Sequence, residues 1–164
     1  VPIEVMIEAT KKSINNGEAV WSGIDYGKYT ASKEGFLDVD GFNYDDIFEF
    51  NNLMDKCDSL NYRQSFPNHA VILRGYNFGK GNTNGFLVEN SHGDGNGDNN
   101  KKNEFNENLY MSLKWFKQFV YMVVIDKSCV SSKELKVLKQ KPIVMPYWSP
   151  FGSLLNGGYK EDFN

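Results

Sequence analysis

Two short motifs near the middle of the chain contain residues that could do chemistry together. One is Asn68-His69-Ala70, and the other is Glu89-Asn90-Ser91-His92-Gly93. A histidine can take a proton from a thiol and return it to a leaving amine, because its ordinary pKa of about 6.5 lies near neutral pH. An asparagine amide oxygen can accept the imidazole N–H and so fix the orientation of the ring. The motifs therefore suggest a base and its orienting residue, two members of a Cys-His-Asn triad whose thiol is not obvious.

The segments that flank the motifs decide whether His69 and Asn90 can meet. Apolar runs at 70–76 and 85–90 are typical of strands, and the segment 77–84 between them is rich in turn-forming residues. In an antiparallel pair, the start of one strand lies beside the end of the next. The pattern thus predicts a hairpin that returns Asn90 to His69. Spacing alone leaves open the alternative that the two side chains lie at strand ends without contact.

The remaining patterns predict an α+β fold. Gly17 ends a first helix, and a capping-box pattern of Ser131 and Glu134 opens the last one. We expect residues 26–46 to form a long loop with short strands, and the Gly- and Asn-rich segment 93–108 to be a mobile surface loop. Other helices and strands are expected at 4–16, 19–24, 55–64, 109–112, 113–119 and 120–125.

Composition limits the classes of function. The chain has 164 residues, 40% of them hydrophobic, which is enough for one domain with a core. Its formal net charge is −3 and its basic runs are lysine pairs, so binding to nucleic acid is not indicated. Apolar stretches such as 120–125 are too short to cross a bilayer. The cysteines do not make a disulfide framework, and a reduced, cytoplasmic setting is expected.

Several segments resemble one family of peptidases. Asn68-His69-Ala70-Val71 and Val88-Glu89-Asn90-Ser91-x-Gly93 resemble the His and Asn motifs of papain-like cysteine peptidases. Residues 18–28, 111–127 and 135–152 are similar to the bleomycin hydrolase and aminopeptidase C branch of that family, and they include the tail Pro146-x-Trp148-x-Pro150-x-Gly152. Ordinary papain relatives lack such a tail. The resemblance covers residues 17–154 and points to the C-terminal portion of a protein of this branch.

The resemblance implies a papain-like fold, of which this chain would be the C-terminal barrel-like β half with flanking helices. Residues 1–154 would form the part of the peptidase domain that bears His69 and Asn90, and residues 155–164 a flexible C-terminal extension. Members of the branch are cytosolic cysteine aminopeptidases that act on peptides without a cofactor or metal. They usually form homohexamers, and their C-terminal arm lies in the active-site cleft.

By the same resemblance, His69 and Asn90 would be the catalytic residues of this chain. The nucleophilic Cys and the oxyanion Gln would lie in an N-terminal half, which is the expected partner segment, so this segment alone is predicted to be inactive. Cys57 is a poor substitute because Asp55 and Asp58 flank it with negative charge, which disfavours a thiolate. Cys129 follows the last core strand and is interpreted as a structural thiol.

His92 is the main departure from the family pattern, because it replaces the Trp that covers the bond between the His and the Asn. The bond should therefore be wetter and weaker, with His92 either a second proton carrier or a partly exposed side chain. Residues 94–105 hint at a calcium loop, but Asn99 and Phe105 break the pattern. Metal binding by His69 and His92 is not expected, since no Cys or acidic cluster lies at ligand spacing. These departures leave a second hypothesis open, a catalytically degenerate relative with a structural or peptide-binding role.

Overall fold

The computed structural model describes residues 1–49, 53–79, 82–90, 108–144 and 146. The helices of these residues are α1 Ile3–Asn15, α2 Tyr44–Phe48, α3 Lys56–Asn61, α4 Leu113–Phe119 and α5 Ser132–Leu135, with 3-10 turns at Lys127–Cys129 and Lys136–Lys139. The strands are β1 Val20–Ile24, β2 Thr30–Ala31, β3 Phe36–Leu37, β4 His69–Gly79, β5 Asn82–Glu89, β6 Asn108–Ser112 and β7 Val120–Val124. The expected α+β fold is confirmed.

The strands form one sheet in the order β2-β3-β6-β5-β4-β1-β7. Neighbouring strands are antiparallel except β3 and β6, which are parallel. Over the part of the chain that the structure describes, the sheet is not closed, and β2 and β7 are its outer strands. The expected barrel-like half is therefore an open sheet.

Helices cover the inner face of the sheet and complete the core. α1 packs on β4, and α4 packs on β5 through Phe116, whose ring lies 4.7 Å from that of Phe86. The Ser112 hydroxyl caps α4 by accepting a hydrogen bond from the Trp115 backbone N–H at 3.2 Å. Apolar side chains from sheet and helices fill the interior, and those that are completely buried are Val20, Ile24, Leu37, Leu73, Phe86, Val88, Met111, Trp115, Phe116 and Val120.

Local signals in the sequence explain where the helices begin and end. α1 ends at Asn15 because the chain leaves the helix through Gly17, whose φ of +83° is a conformation that glycine adopts at little cost. Ser131 is confirmed as the N-cap of the last helix, since its hydroxyl accepts from the backbone N–H of Glu134 at 3.5 Å, and the same hydroxyl donates to the Glu134 carboxylate. The helix it opens is short, because a 3-10 turn follows at Lys136–Lys139.

Two expectations were wrong in detail. The segment 77–84 is mostly strand, because the backbones of Asn77 and Gly85 and of Gly79 and Asn82 pair across the hairpin whatever their side chains. Gly85 is required there, since a Cβ at this position would lie 2.3 Å from the Met111 carbonyl oxygen.

The loop expected at 26–46 contains the short strands β2 and β3, and its last residues belong to α2. Residues 91–107 and 155–164, with their expected loop and extension, lie outside the described residues.

Candidate active site

The structure brings His69 and Asn90 into contact. His69 is the first residue of β4, and Asn90 directly follows the last residue of β5. The His69 Nε2 atom lies 2.8 Å from the Asn90 Oδ1 atom, an ordinary hydrogen-bond distance. Because an amide oxygen only accepts, Nε2 carries the proton of this bond, and in the neutral ring the basic nitrogen is Nδ1.

Antiparallel pairing of β4 with β5 produces this contact. Ile72 of β4 lies opposite Glu89 of β5. His69, at the start of β4, and Asn90, just after the end of β5, therefore lie at the same end of the hairpin. On its other side β4 pairs with β1, where Ile24 lies opposite His69. The backbone of His69 is thus held in the middle of the sheet, and the expected hairpin that returns Asn90 to His69 is confirmed.

An aromatic ring lies against the imidazole. The ring centroids of Tyr26 and His69 are 5.0 Å apart, and the two planes are tilted by 46°. Tyr26 follows Asp25, the first residue after β1. His69 is half-buried in this position.

A fully buried carboxylate, that of Asp25, is hydrogen-bonded to the residue that precedes His69. Asp25 Oδ1 accepts from Asn68 Nδ2 at 2.7 Å, and Asp25 Oδ2 accepts from Lys28 Nζ at 2.6 Å and from the Ser65 hydroxyl at 2.5 Å. The backbone N–H of Asp25 donates to the Phe119 carbonyl oxygen at 2.9 Å. The signal for this cluster in the sequence is weak, an Asp at the end of a buried strand and an Asn before the histidine, and sequence reasoning did not identify it.

The cluster continues to β7 through Tyr121, whose hydroxyl lies 2.5 Å from the Ser65 hydroxyl. Burial raises the pKa of Tyr121, and the nearby charge of Asp25 also raises it, while the hydrogen bond to Ser65 acts in the opposite direction. The Lys56 ammonium lies 4.6 Å from the centre of the Tyr121 ring and donates to the Lys117 carbonyl oxygen at 3.1 Å. Burial lowers the pKa of Lys56 to about 8.

An open cleft lies beside Asn90 on the outer face of the sheet. Its volume is about 250 Å³. Trp21 forms part of its wall with an exposed fraction of 40%, and Glu89 brings a carboxylate that pairs with Arg74 at 2.6 Å. The remaining lining residues are Ala70, Val71, Ile72 and Asn90. The cleft therefore has a largely apolar wall, and Asn90, the hydrogen-bond partner of His69, lies at its edge.

The cysteines lie in other surroundings. Cys129 is buried and accepts a weak hydrogen bond from Asn16 Nδ2 at 3.6 Å, whereas Cys57 is exposed on α3 and accepts from Asn61 Nδ2 at 3.6 Å. The Asp55 carboxylate caps α3 by accepting from the Asp58 N–H at 3.0 Å, which keeps negative charge beside Cys57. This environment agrees with the interpretation of both cysteines as structural thiols.

His92 and the segment 94–105 lie outside the described residues. Among the residues with a described placement, no three His, Cys, Asp or Glu side chains form a group that could hold a metal ion. Within the same ranges, none of the helices has the length and apolar character to span a membrane.

A histidine hydrogen-bonded to an asparagine across an antiparallel hairpin is the arrangement that the resemblance to papain-like cysteine peptidases implies. Comparison with known families agrees. The chain belongs to the Peptidase C1-like family, whose model matches residues 1–152.

Individual relatives show which branch of the family this chain resembles. The chain is 36% identical over 157 residues to bleomycin hydrolase of Gallus gallus, and this alignment covers 93% of the chain and 33% of that protein. It is 33% identical over 154 residues to aminopeptidase C of Listeria monocytogenes, covering 94% of this chain and 33% of that protein. The crystal structure of PepW from Lactobacillus rhamnosis HN001 superposes with a TM-score of 0.82 at 33% identity, over 92% of this chain and 33% of that one. The expected membership of the bleomycin hydrolase and aminopeptidase C branch is confirmed, and the chain spans about a third of the length of these relatives.

Proposed function

We propose that this chain supplies the acid–base part of a cysteine aminopeptidase active site, with His69 as the general base and acid and Asn90 as the residue that orients it. The observation that carries the proposal is the contact of 2.8 Å between His69 Nε2 and Asn90 Oδ1. This contact fixes the tautomer in which Nδ1 is the basic nitrogen, and Nδ1 is the atom that a thiol would approach.

In the proposed reaction, His69 Nδ1 takes the proton of a cysteine thiol and becomes an imidazolium. The thiolate attacks the peptide carbonyl carbon, and the imidazolium then protonates the leaving amine as the C–N bond breaks. Water hydrolyses the resulting thioester, with His69 again taking a proton, and the thiol is regenerated. Asn90 holds the ring during these steps and does not exchange a proton itself.

The nucleophile comes from a Cys-bearing N-terminal half of the same protein. The length of the relatives supports this proposal, because each is about three times as long as the matched part. The substrate is a peptide that lies in the cleft beside Asn90. The working protein is a cytoplasmic homo-oligomer, a hexamer by resemblance, with no membrane or nucleic-acid partner. The name of one relative, aminopeptidase C, supports cleavage at the N-terminal end of peptides.

A degenerate relative that binds peptides or serves as an assembly subunit is the second candidate. One observation favours it, the replacement of the family's Asn-Ser-Trp-Gly by Asn90-Ser91-His92-Gly93. The same cleft and the same hydrogen bond would then position a peptide without cleaving it.

Hydrolysis of an aminoacyl fluorogenic substrate by the complete protein, this chain together with its Cys-bearing half, tests the proposal. The His69→Ala variant should lose activity by about 10²–10⁴-fold, the usual contribution of a general base. Ser13→Ala is the matched control, because it also truncates a buried side chain. It removes one hydrogen bond, which the Ser13 hydroxyl donates to the Glu18 carbonyl oxygen at 3.3 Å. Unchanged hydrolysis in a folded His69→Ala protein would refute the peptidase proposal.

A further inference from the structure

The buried carboxylate of Asp25 is linked to the residue that precedes His69. Asn68 uses its side-chain amide three times: Nδ2 donates to Asp25 Oδ1 at 2.7 Å and to the Tyr26 carbonyl oxygen at 3.2 Å, and Oδ1 accepts from the Tyr26 backbone N–H at 2.8 Å. Its own backbone N–H donates to the Ile24 carbonyl oxygen at 2.9 Å. One side chain therefore fixes the backbone of Tyr26 relative to the start of β4.

The Tyr26 ring lies beside the His69 imidazole, with the two ring planes tilted by 46°. A single hydrogen bond from Nε2 to Asn90 fixes one point of the imidazole but permits the ring to turn about that bond. Contact with a second ring, at a centroid distance of 5.0 Å, restricts this rotation and therefore the direction of Nδ1. Restriction of this kind matters for rate, because a displacement of about 1 Å in a reacting group can cost about 10²-fold.

The polar groups that hold Tyr26 include a carboxylate, which is costly to bury. Taking a carboxylate fully out of water is unfavourable unless its partners compensate, and apolar residues of similar volume often serve stability as well or better. Here the carboxylate of Asp25 is completely buried, and its bonds converge on Asn68, which flanks His69, and on Lys28 and Ser65.

We propose that Tyr26 is a positioning residue for His69, and that Asn68 and Asp25 form a clamp that holds the Tyr26 ring on the imidazole. The inference rests on the proposed function, since it gives His69 its role as the base. Neither Tyr26 nor the clamp touches the reacting atoms. Their effect is on the orientation of Nδ1 towards the thiol, and so on the formation of the thiolate–imidazolium pair.

The experiment compares Tyr26→Ala, Tyr26→Phe, Asn68→Ala and the control Ser13→Ala in the complete protein. Two measurements report on orientation. One is steady-state hydrolysis, which gives kcat and KM separately, and the other is the rate of thiol alkylation by iodoacetamide at pH 6. An unassisted thiol, with a pKa of about 8.5, is almost entirely protonated at that pH, so fast alkylation requires a correctly placed base. The melting temperature of each variant reports on the fold.

We expect Tyr26→Ala and Asn68→Ala to lower kcat and the alkylation rate by about 10- to 100-fold with KM little changed, the size of effect that misplacement produces. Tyr26→Phe keeps the ring and should restore most of the loss. Variants that melt lower than wild type but alkylate and turn over at the wild-type rate would show that the clamp serves stability alone, and the inference would be wrong.

The His69→Ala variant separates this outcome from failure of the proposed function. If His69→Ala abolishes hydrolysis while Tyr26→Ala leaves kcat and alkylation unchanged, the base is correct and the positioning role is refuted. If His69→Ala hydrolyses and alkylates at the wild-type rate, the proposed function itself fails and the inference fails with it.

Discussion

Asn68 Nδ2 lies 2.7 Å from Asp25 Oδ1, although 43 positions separate the two residues in the chain. This bond joins the end of β1 to the residue before His69. The Asp25 carboxylate is completely buried, and Lys28 donates to its other oxygen at 2.6 Å.

Replacement of Asp25 by alanine should destabilise the complete protein by about 3 kcal/mol, because it leaves Lys28, Ser65 and Asn68 without their common acceptor. Urea denaturation of wild type and variant measures the difference. Asp40→Ala is a matched control, since Asp40 also forms an ion pair with a lysine, Lys114, at 2.6 Å, but this pair lies on the surface. It should cost less than about 1 kcal/mol. Equal losses in the two variants would contradict the role given to burial.

Removal of the Phe116 ring should destabilise the fold by about 3–5 kcal/mol, because the side chain is completely buried and packs 4.7 Å from Phe86. Phe116→Leu, which retains most of the volume, should lose less, about 1–1.5 kcal/mol. Thermal and urea unfolding of the complete protein check both values. A loss below about 1 kcal/mol for Phe116→Ala would mean that this part of the core is not packed as described.

Lys56 should make the stability depend on pH in alkaline solution. Its pKa is lowered from 10.5 to about 8 in the fold by burial, so between these values the unfolded chain binds a proton that the folded chain has already lost. Stability rises with pH wherever the unfolded state binds more protons. The free energy of unfolding of wild type should therefore rise relative to that of Lys56→Met as the pH increases from about 8 to 10.

The comparison with Lys56→Met removes the contributions of groups that titrate in both proteins. Measurements should stop near pH 10, because Lys56 lies 4.6 Å from the centre of the Tyr121 ring, so the opposite effect of the raised Tyr121 pKa above that value differs between the two proteins. A constant difference between the two proteins across this range would show that Lys56 keeps its ordinary pKa.

Neither cysteine of this chain should be needed for hydrolysis. Cys57→Ser and Cys129→Ser in the complete protein are expected to retain kcat within about twofold, because the carboxylates of Asp55 and Asp58 flank Lys56 and Cys57, and Cys129 is buried. Cys129→Ser should lower the melting temperature, as it places a hydroxyl at a buried site next to Asn16. Loss of inhibitor labelling in either variant would instead identify that residue as the nucleophile.

The chain by itself is predicted not to cleave peptides, because the nucleophile and the oxyanion donors would lie on another segment. Apolar side chains such as Ile143 and Leu138 are largely exposed on the chain alone, which predicts poor solubility without a partner. Assays of the 164 residues with and without the added Cys-bearing half check both expectations. A soluble, cooperatively melting and active chain would contradict them.

The contact between His69 and Asn90 could be predicted because it depends on one local rule, that a hairpin returns its ends to each other. The capping box of Ser131 and the end of α1 near Gly17 were predictable for a similar reason, since each is encoded within a few residues. The cluster around Asp25 was not, because its partners come from Ser65, Asn68 and Tyr121, on a distant loop and strand, and no periodic pattern relates them.

The extent of the hairpin was misjudged for a different physical reason. Asn and Gly residues at 77–84 favour turns, but a strand that extends past its neighbours needs only backbone pairing, which any residue can supply. The two-residue strands β2 and β3 were expected only in general terms. β2 pairs with β3, and β3 in turn pairs with β6. The pairing of β3 with β6 joins segments more than 70 positions apart, as with Phe36 and Tyr110, and no sequence pattern of that length indicates it.

The placement of the candidate pair at the open end of the hairpin bears on how this protein can change in evolution. Residues can be added or lost in pairs at the closed end, near Gly79 and Asn82, without moving His69 or Asn90, because the register near the pair is set by the facing residues Ile72 and Glu89. A single deletion between Glu89 and Leu87 would instead turn every following side chain to the opposite face. Length variation among natural homologues should accordingly concentrate at the closed end and be rare beside the histidine.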